Sequence, residues 1–281
     1  MWTYVLRFPS PTAFASGSAV AAAAPPPKPA LNPAEFRPFR VRSVETVTHN
    51  TKRITFDLAS PDQEMGLQVA SCLLARAKVD GKSVVRPYTP TNLNEQRGYL
   101  ELVIKGYPAG KLSKHMVELQ PGDEVEMRGP LSKFAYTPNK VKKMGLIAGG
   151  SGITPMLQIA KHICRDPTDM TEVTLLYANV TEDDIILRHE LDALQYLYPQ
   201  FKVFYVLDKP PADWQGYSGY ITKEMIQETM PSPSDDHLIC VCGPPPMMYH
   251  VSGNKATDNS QGELQGLLNA LNYKYTQVFK F

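Results

Sequence analysis

The chain has 281 residues, 29 basic and 28 acidic side chains, a formal charge of +1 and 43% hydrophobic residues. That balance argues against a nucleic-acid surface as its main purpose, since such surfaces concentrate basic residues, and the hydrophobic fraction supports a proper core. Four cysteines, Cys72, Cys164, Cys240 and Cys242, are too few for a disulfide framework and form no zinc set, which points to a reducing compartment.

Residues 1–34 contain no Asp or Glu and are rich in alanine and proline, with Pro25-Pro26-Pro27 followed by Pro29 and Pro33. Such a proline run reads as an extended, solvated linker. The acid-free head before it fits a mitochondrial targeting segment better than a secretory one; a disordered tail and a short membrane-attachment segment are the other readings. No stretch reaches the roughly 18–20 apolar residues that a membrane-spanning helix needs.

From Phe39 the pattern becomes one of short alternating strands, at 39–44, 53–58, 84–89, 99–105 and 124–128, with one helix expected over 112–119. Pro121-Gly122-Asp123 supplies the turn before the last strand. Residues 35–138 are therefore expected to form a small antiparallel β-barrel. Met144–Ala148 is wholly apolar and runs into Gly149-Gly150-Ser151-Gly152 and then a helix to about Cys164. Apolar strands at 173–178, 203–207 and 238–242 alternate with helical stretches near 183–196, 221–229 and 261–270, the signature of a parallel sheet in an α/β domain over 139–281. Pro138-Asn139-Lys140 is the expected linker, and Cys240 and Cys242 are expected on opposite faces of their strand.

Four segments carry candidate chemistry. Gly149–Pro155 lets the backbone approach a phosphate after a buried strand, with Pro155 suited to a first helical turn. It departs from the G-x-G-x-x-G fingerprint. Cys242-Gly243-Pro244-Pro245-Pro246-Met247-Met248 follows a parallel strand, where open α/β sheets place their ligands, and reads as a rigid, helix-free wall of the same crevice. In Arg86-Pro87-Tyr88-Thr89-Pro90 the two prolines disfavour a central strand, so the segment is expected at an edge or opening into a cleft. Its arginine can fork onto a diphosphate and its tyrosine can lie along a ring system. Lys105-Gly106-Tyr107-Pro108-Ala109-Gly110-Lys111-Leu112-Ser113 offers backbone N–H groups and a hydroxyl for a second anion. Two nucleotide loops in one domain and an arginine–tyrosine strand in the other point to two ligands meeting at a domain interface. No G-x-S-x-G elbow is present to support a hydrolase.

In that order these segments, with Ala178-Asn179-Val180-Thr181-Glu182 and the terminal Val278-Phe279-Lys280-Phe281, resemble the ferredoxin-reductase-like flavoproteins, and within them the NADH–cytochrome b5 reductases, over residues 34–281. Ser151 stands where the family usually has threonine, and Leu112 where it commonly has methionine. The resemblance implies an antiparallel FAD-binding β-barrel followed by a parallel-sheet α/β domain for NADH, with electrons passing to cytochrome b5 or a similar one-electron haem protein. It places Arg86, Gly110, Lys111, Leu112 and Ser113 at the FAD diphosphate. Pro87, Tyr88, Thr89, Lys105, Tyr107 and Thr154 fall along the flavin. Gly150, Gly152 and Gly243 go to the NADH diphosphate, Cys242 to the nicotinamide, Pro246 and Met247 to the adenosine, and Asp208 to the free ribose 2′-hydroxyl. Thr89, Thr154 and Cys242 are the residues expected at the reacting rings, with no protein acid or base needed. Lys111, Lys114, Lys142 and Lys143 are the cations an acidic haem-protein rim could meet. A sibling with another acceptor, such as a quinone or a ferric chelate, has the same motifs. A mitochondrial location is expected from the head, with peripheral membrane attachment, the cytoplasmic face of the endoplasmic reticulum and the cytoplasm as alternatives.

Overall fold

The computed structural model describes residues 28–281, so the expectations for the head up to residue 27 lie outside the described residues. Residues 28–34 were grouped with that head, but they form a strap on the barrel. Ala30 and Leu31 are buried, and their N–H groups donate to the carbonyls of Glu64 and Met65.

Six antiparallel strands follow: β1 (Arg37–Thr48), β2 (Thr51–Asp57), β3 (Ser71–Val79), β4 (Lys82–Tyr88), β5 (Tyr99–Lys105) and β6 (Glu124–Ser132), in the order β4-β3-β6-β1-β2-β5. β1 pairs with β6 through its first residues and with β2 through the rest, with register shifts that bend it. The sheet therefore curls around one core, to which all six strands contribute, among them Phe39, Ile54, Leu73, Val84, Leu102 and Met127. Helix α1 (Lys111–Val117) packs against β3 and both edge strands, and inserts Leu112 and Met116 into the same core. The proline-flanked arginine strand is an edge, as its sequence requires.

The second half is a parallel sheet in the order β10-β9-β8-β7-β11-β12. Its strands are β7 (Lys143–Gly149), β8 (Glu172–Asn179), β9 (Phe201–Leu207), β10 (Tyr217–Ser218), β11 (His237–Cys242) and β12 (Val278–Lys280). The helices are α2 (Ile153–Arg165), α3 (Arg188–Leu197), α4 (Lys223–Thr229), α5 (Pro245–Ser252) and α6 (Gly266–Ala270). Two sequence expectations need correction. The supposed helix-free wall is α5. Pro245 and Pro246 occupy its first turn, where a missing N–H costs nothing, and the first bond is Met248 N–H to the Pro244 carbonyl at 3.0 Å. Cys240 and Cys242 also share a face, because residues two apart on a strand point the same way. Both pack with Tyr177 and Leu175, whereas Ile239 and Val241 belong to the core on the other side of the sheet.

The core of the α/β domain continues into the barrel, where Ala70 and Val103 are buried with Leu146, Met156 and Tyr177. Polar fastenings flank this apolar seam. Gln158 on α2 bonds both the N–H and the C=O of Ser71, each at 3.3 Å. Arg53 on β2 pairs with Glu190 on α3. Lys161 on α2 reaches the same carboxylate at 2.8 Å and the Thr91 carbonyl at 3.1 Å. Lys105 on β5 pairs with Asp184 at 2.8 Å. Glu190→Ala leaves two half-buried cations at the seam without their shared partner, so it is expected to destabilise the fold by about 2 kcal/mol. A lowered midpoint in urea checks this; an unchanged midpoint would mean the seam is held by its apolar part alone.

Candidate functional site at the domain seam

At the carboxyl ends of β7 and β11 the two loops singled out in the sequence pack against each other. A Cβ on Gly152 would collide with the Cys242 carbonyl, and one on Gly149 would collide with the Met247 sulfur and crowd Pro244. Only glycine permits this approach. Met247, expected at the adenosine, thus directs its sulfur into the seam between Gly149 and Gly243, while Pro246 stays exposed. Gly150 adopts φ +51° and its carbonyl accepts the hydroxyl of the buried Tyr177 at 2.9 Å. Thr154 is buried at the start of α2, with its hydroxyl 3.3 Å from the Ser151 carbonyl. Asp208 follows β9, half-buried, and its carboxylate has no ion pair among the described residues.

On the barrel side Arg86 is exposed on β4. Among the described residues it forms no ion pair, and its one hydrogen bond goes to the neighbouring Val85 carbonyl. Burial pushes the Tyr88 hydroxyl up to about 12, with the Arg86 charge opposing, and its ring packs on the barrel core. Thr89 lies half-buried just past the strand. Gly110 precedes α1, and a Cβ there would strike Ser113 Oγ, so the hydroxyl stands directly over the helix start. No side chain caps that end. Beside it a cavity of about 420 Å³ is lined by Lys78, Lys111, Lys114 and His115, with Asp80 and Glu118 on the same walls.

Lys105 places its ammonium on Asp184 at 2.8 Å, which draws the side chain toward the α/β domain. Burial alone would raise the Asp184 carboxyl; hydrogen bonds from Lys105 and Thr181 outweigh it and hold the group below its ordinary value. Lys142 and Lys143, expected at a docking face, sit at the start of β7 and pair with Asp236 and Glu172. That is about 20 Å of strand away from the crevice end. Lys111 and Lys114 remain beside the cradle. A separate cleft of about 720 Å³ opens at the β9 edge beside Arg188 and Trp214; of the motif residues it is lined by Glu182 alone.

Sequence reasoning did not single out Tyr177, Lys133 or Lys255, and it named Asn179 only within a matching segment, with no role. Asn179 ends β8 with both amide atoms buried and unpartnered. Lys133 from the barrel and Lys255 from the α/β domain stand near Cys72 and Cys242. Burial, then repulsion from Lys133, lowers the Lys255 ammonium. Burial pushes the Cys242 thiol up to about 12, so it is neutral at neutral pH. The donor set suits two anionic nucleotides: an unpaired arginine and lysines with a hydroxyl on one side, glycine backbone without an acidic side chain on the other.

The matched family models divide the chain in the same way. An oxidoreductase FAD-binding domain matches residues 38–136 and an oxidoreductase NAD-binding domain matches residues 146–253. An NADH-cytochrome b5 reductase-like protein of Arabidopsis thaliana is 51% identical over 263 residues, covering 91% of this chain and 79% of that protein. The NADH-cytochrome b5 reductase 2 of Pyricularia oryzae is 46% identical over 260 residues, covering 91% and 78%. Among solved structures, the cytochrome b5 reductase domain of Ulva prolifera nitrate reductase aligns with a TM-score of 0.80 at 34% identity, over 90% of this chain and 100% of that one. With both domains matched and half its residues shared with such a relative, the chain belongs to the NADH–cytochrome b5 reductase family of ferredoxin-reductase-like flavoproteins.

Proposed function

We propose that the chain takes electrons from NADH and passes them through FAD, held where the barrel meets the α/β domain, to cytochrome b5 or a similar one-electron haem protein. The observation that carries this reading is the meeting of two nucleotide cradles from different domains, joined by the hydrogen bond between Tyr107 and Ser151 at 2.9 Å. Bound FAD supplies the conversion between a two-electron donor and a one-electron acceptor, which no side chain can perform.

The residues then divide the work. Arg86 and Lys111 would neutralise the FAD diphosphate, and Ser113 would donate its hydroxyl to it. Tyr88, Pro87 and Thr89 form the barrel wall along the flavin, and Thr154 faces it from the start of α2. Gly150, Gly152 and Gly243 bring backbone to the NADH diphosphate. Cys242 is a neutral, half-buried spacer beside the nicotinamide, since a thiol pushed up to about 12 supplies no thiolate. Asp208 accepts from a ribose 2′-hydroxyl and repels a 2′-phosphate. Lys78, Lys111 and Lys114, which outnumber Asp80 and Glu118 around the same cavity, give the cradle side a net basic face for an acidic partner. No helix among the described residues is long and apolar enough to cross a membrane. We read the acid-free head as a mitochondrial targeting segment; a reporter fused behind residues 1–34 that stays outside mitochondria would remove that reading.

Anaerobic titration of the purified protein with NADH is expected to bleach its flavin absorbance, and NADPH to do so far more slowly. Asp208→Asn is expected to raise kcat/KM with NADPH by about tenfold. A protein that stays colourless after incubation with FAD sinks the flavoenzyme reading. Burial raises the Cys242 thiol above the 9.0 of an unperturbed cysteine, so the stability tied to its protonated form is full below pH 9 and is lost as pH climbs toward 12. Native protein at pH 7.5 should therefore alkylate at Cys242 at under about a tenth of the rate of a free thiol; reaction at the free-thiol rate would contradict a neutral, enclosed sulfur.

A further inference from the structure

The resemblance assigns Tyr107 to the flavin, yet its hydroxyl is engaged elsewhere. The residue follows β5, and its carbonyl accepts the Gly110 N–H at 2.9 Å, which closes the turn before α1. From that turn the side chain crosses to the α/β domain, where its oxygen lies 2.9 Å from Ser151 Oγ. A Cβ on Gly150 would stand 3.9 Å from the same oxygen, so the phenol hangs over the second glycine of the dinucleotide loop. The residue is 43% exposed, so a single bond between hydroxyls, and little packing, holds the ring across the seam.

The opposite side of the loop is fixed. Tyr177 is fully buried and donates to the Gly150 carbonyl, which keeps a phosphate-repelling acceptor tied down. Gly149–Thr154 contains no lysine or arginine. A diphosphate bound there finds no cation on the loop itself, and Tyr107 is a side-chain donor that stands over the loop from the other domain.

We propose that Tyr107 serves the dinucleotide rather than the flavin: its phenol donates to the NADH diphosphate at Gly150–Ser151, and the bond to Ser151 holds the hydroxyl in place until the diphosphate arrives. The inference rests on the NADH reading above and supplies a donor that reading lacked. The exchange strands no group, because Ser151 is only half-buried and can turn to water once the phenol leaves it. It also ties occupancy of the dinucleotide loop to the turn that leads into the FAD cradle.

The test is calorimetric titration of FAD-loaded wild type, Tyr107→Phe and Ser151→Ala with NAD+, ADP-ribose and AMP. Phenylalanine keeps the ring and removes only the donor. In Tyr107→Phe the dissociation constants of NAD+ and ADP-ribose, which share the diphosphate, are expected to rise together by about tenfold, the weight of one hydrogen bond to a charged acceptor. AMP, which lacks the diphosphate, should change by less than about twofold, and FAD occupancy should match wild type. Ser151→Ala keeps the phenol and should weaken ADP-ribose less than Tyr107→Phe does. Unchanged ADP-ribose affinity in Tyr107→Phe overturns the proposal. So does loss of FAD from that variant, which would return the tyrosine to the flavin. So does an equal or larger loss in Ser151→Ala, which would make the serine the donor. Wild type that binds neither NAD+ nor ADP-ribose removes the NADH reading itself, and that failure is visible without any variant.

Discussion

The structure depends on an apolar seam flanked by charges that must find partners across it. Ala70 and Val103 of the barrel share one core with the α/β domain, so separating the domains would expose buried hydrocarbon on both. Arg53, Lys105, Lys161, Asp184 and Glu190 are drawn out of water by the same contact; the Arg53–Glu190 and Lys105–Asp184 pairs cross from one domain to the other, and Lys161 braces Glu190 from within its own domain. Removing one partner strands a half-buried charge, whereas the intact set mostly offsets its own desolvation. These pairs fix the register of the domains more than they add to stability, and register is what two rings brought together from separate domains require.

The end of the chain closes on the same seam. Lys280 is buried on β12 with no carboxylate partner among the described residues; its ammonium is held by the carbonyls of Asn254 and Glu263 at 3.2 and 2.7 Å. Burial, and then the Lys255 charge, lowers it, with Glu263 opposing. Gln261 exchanges two further bonds with the Lys280 backbone. The loop bearing Lys255 is thereby stitched to the last strand. Phe279 and Phe281 then carry that strand onto Phe134 of the barrel, with ring centroids 4.9 and 6.0 Å apart. A cation used to bind backbone carbonyls is unusual among buried lysines, and here it couples the C-terminus to the position of a loop near Cys242.

Much of this was legible in the sequence, and the reasons are local. Met144–Ala148 is buried on both faces and has no polar interruption, so its parallel-strand character was readable. The prolines around Arg86 announced an edge. Strand β3 was not seen because Ser71-Cys72-Leu73-Leu74 does not alternate: its inner face meets the barrel core and its outer face lies near the second domain. Residues 245–252 were misread because prolines were weighed as helix breakers without asking where in a helix they fell. The strap at 28–34 looked like linker because its burial comes from two small apolar residues that composition cannot separate from the head. Lys105 was assigned a role by resemblance, while its side chain answers to Asp184, a residue 79 positions away that no local pattern could pair with it. The cross-domain partners of Tyr107 and Lys255 were hidden for the same reason.

The site contains little that resembles general acid–base machinery, and the reaction class explains why. Moving electrons between two bound rings needs distance and exclusion of competing chemistry, not a titrating side chain. The thiol nearest the crevice is therefore useful for what burial does to it. A thiol kept neutral adds bulk and polarisability without adding a nucleophile that could attack an electron-poor ring. The tyrosines behave alike, since burial drives the Tyr88 hydroxyl up to about 12 and Tyr177 higher still, so both stay protonated. Near the loops charge is left to Arg86, Lys111 and Asp208, which answer phosphate or ribose, and to Lys133 and Lys255, which stand beside Cys72 and Cys242. A fold that keeps Tyr88 and Cys242 protonated and gives phosphate and ribose their own charged handles can change donor or acceptor by altering a handle while leaving those side chains alone. That separation is consistent with its sharing one architecture with the cytochrome b5 reductase domain of Ulva prolifera nitrate reductase.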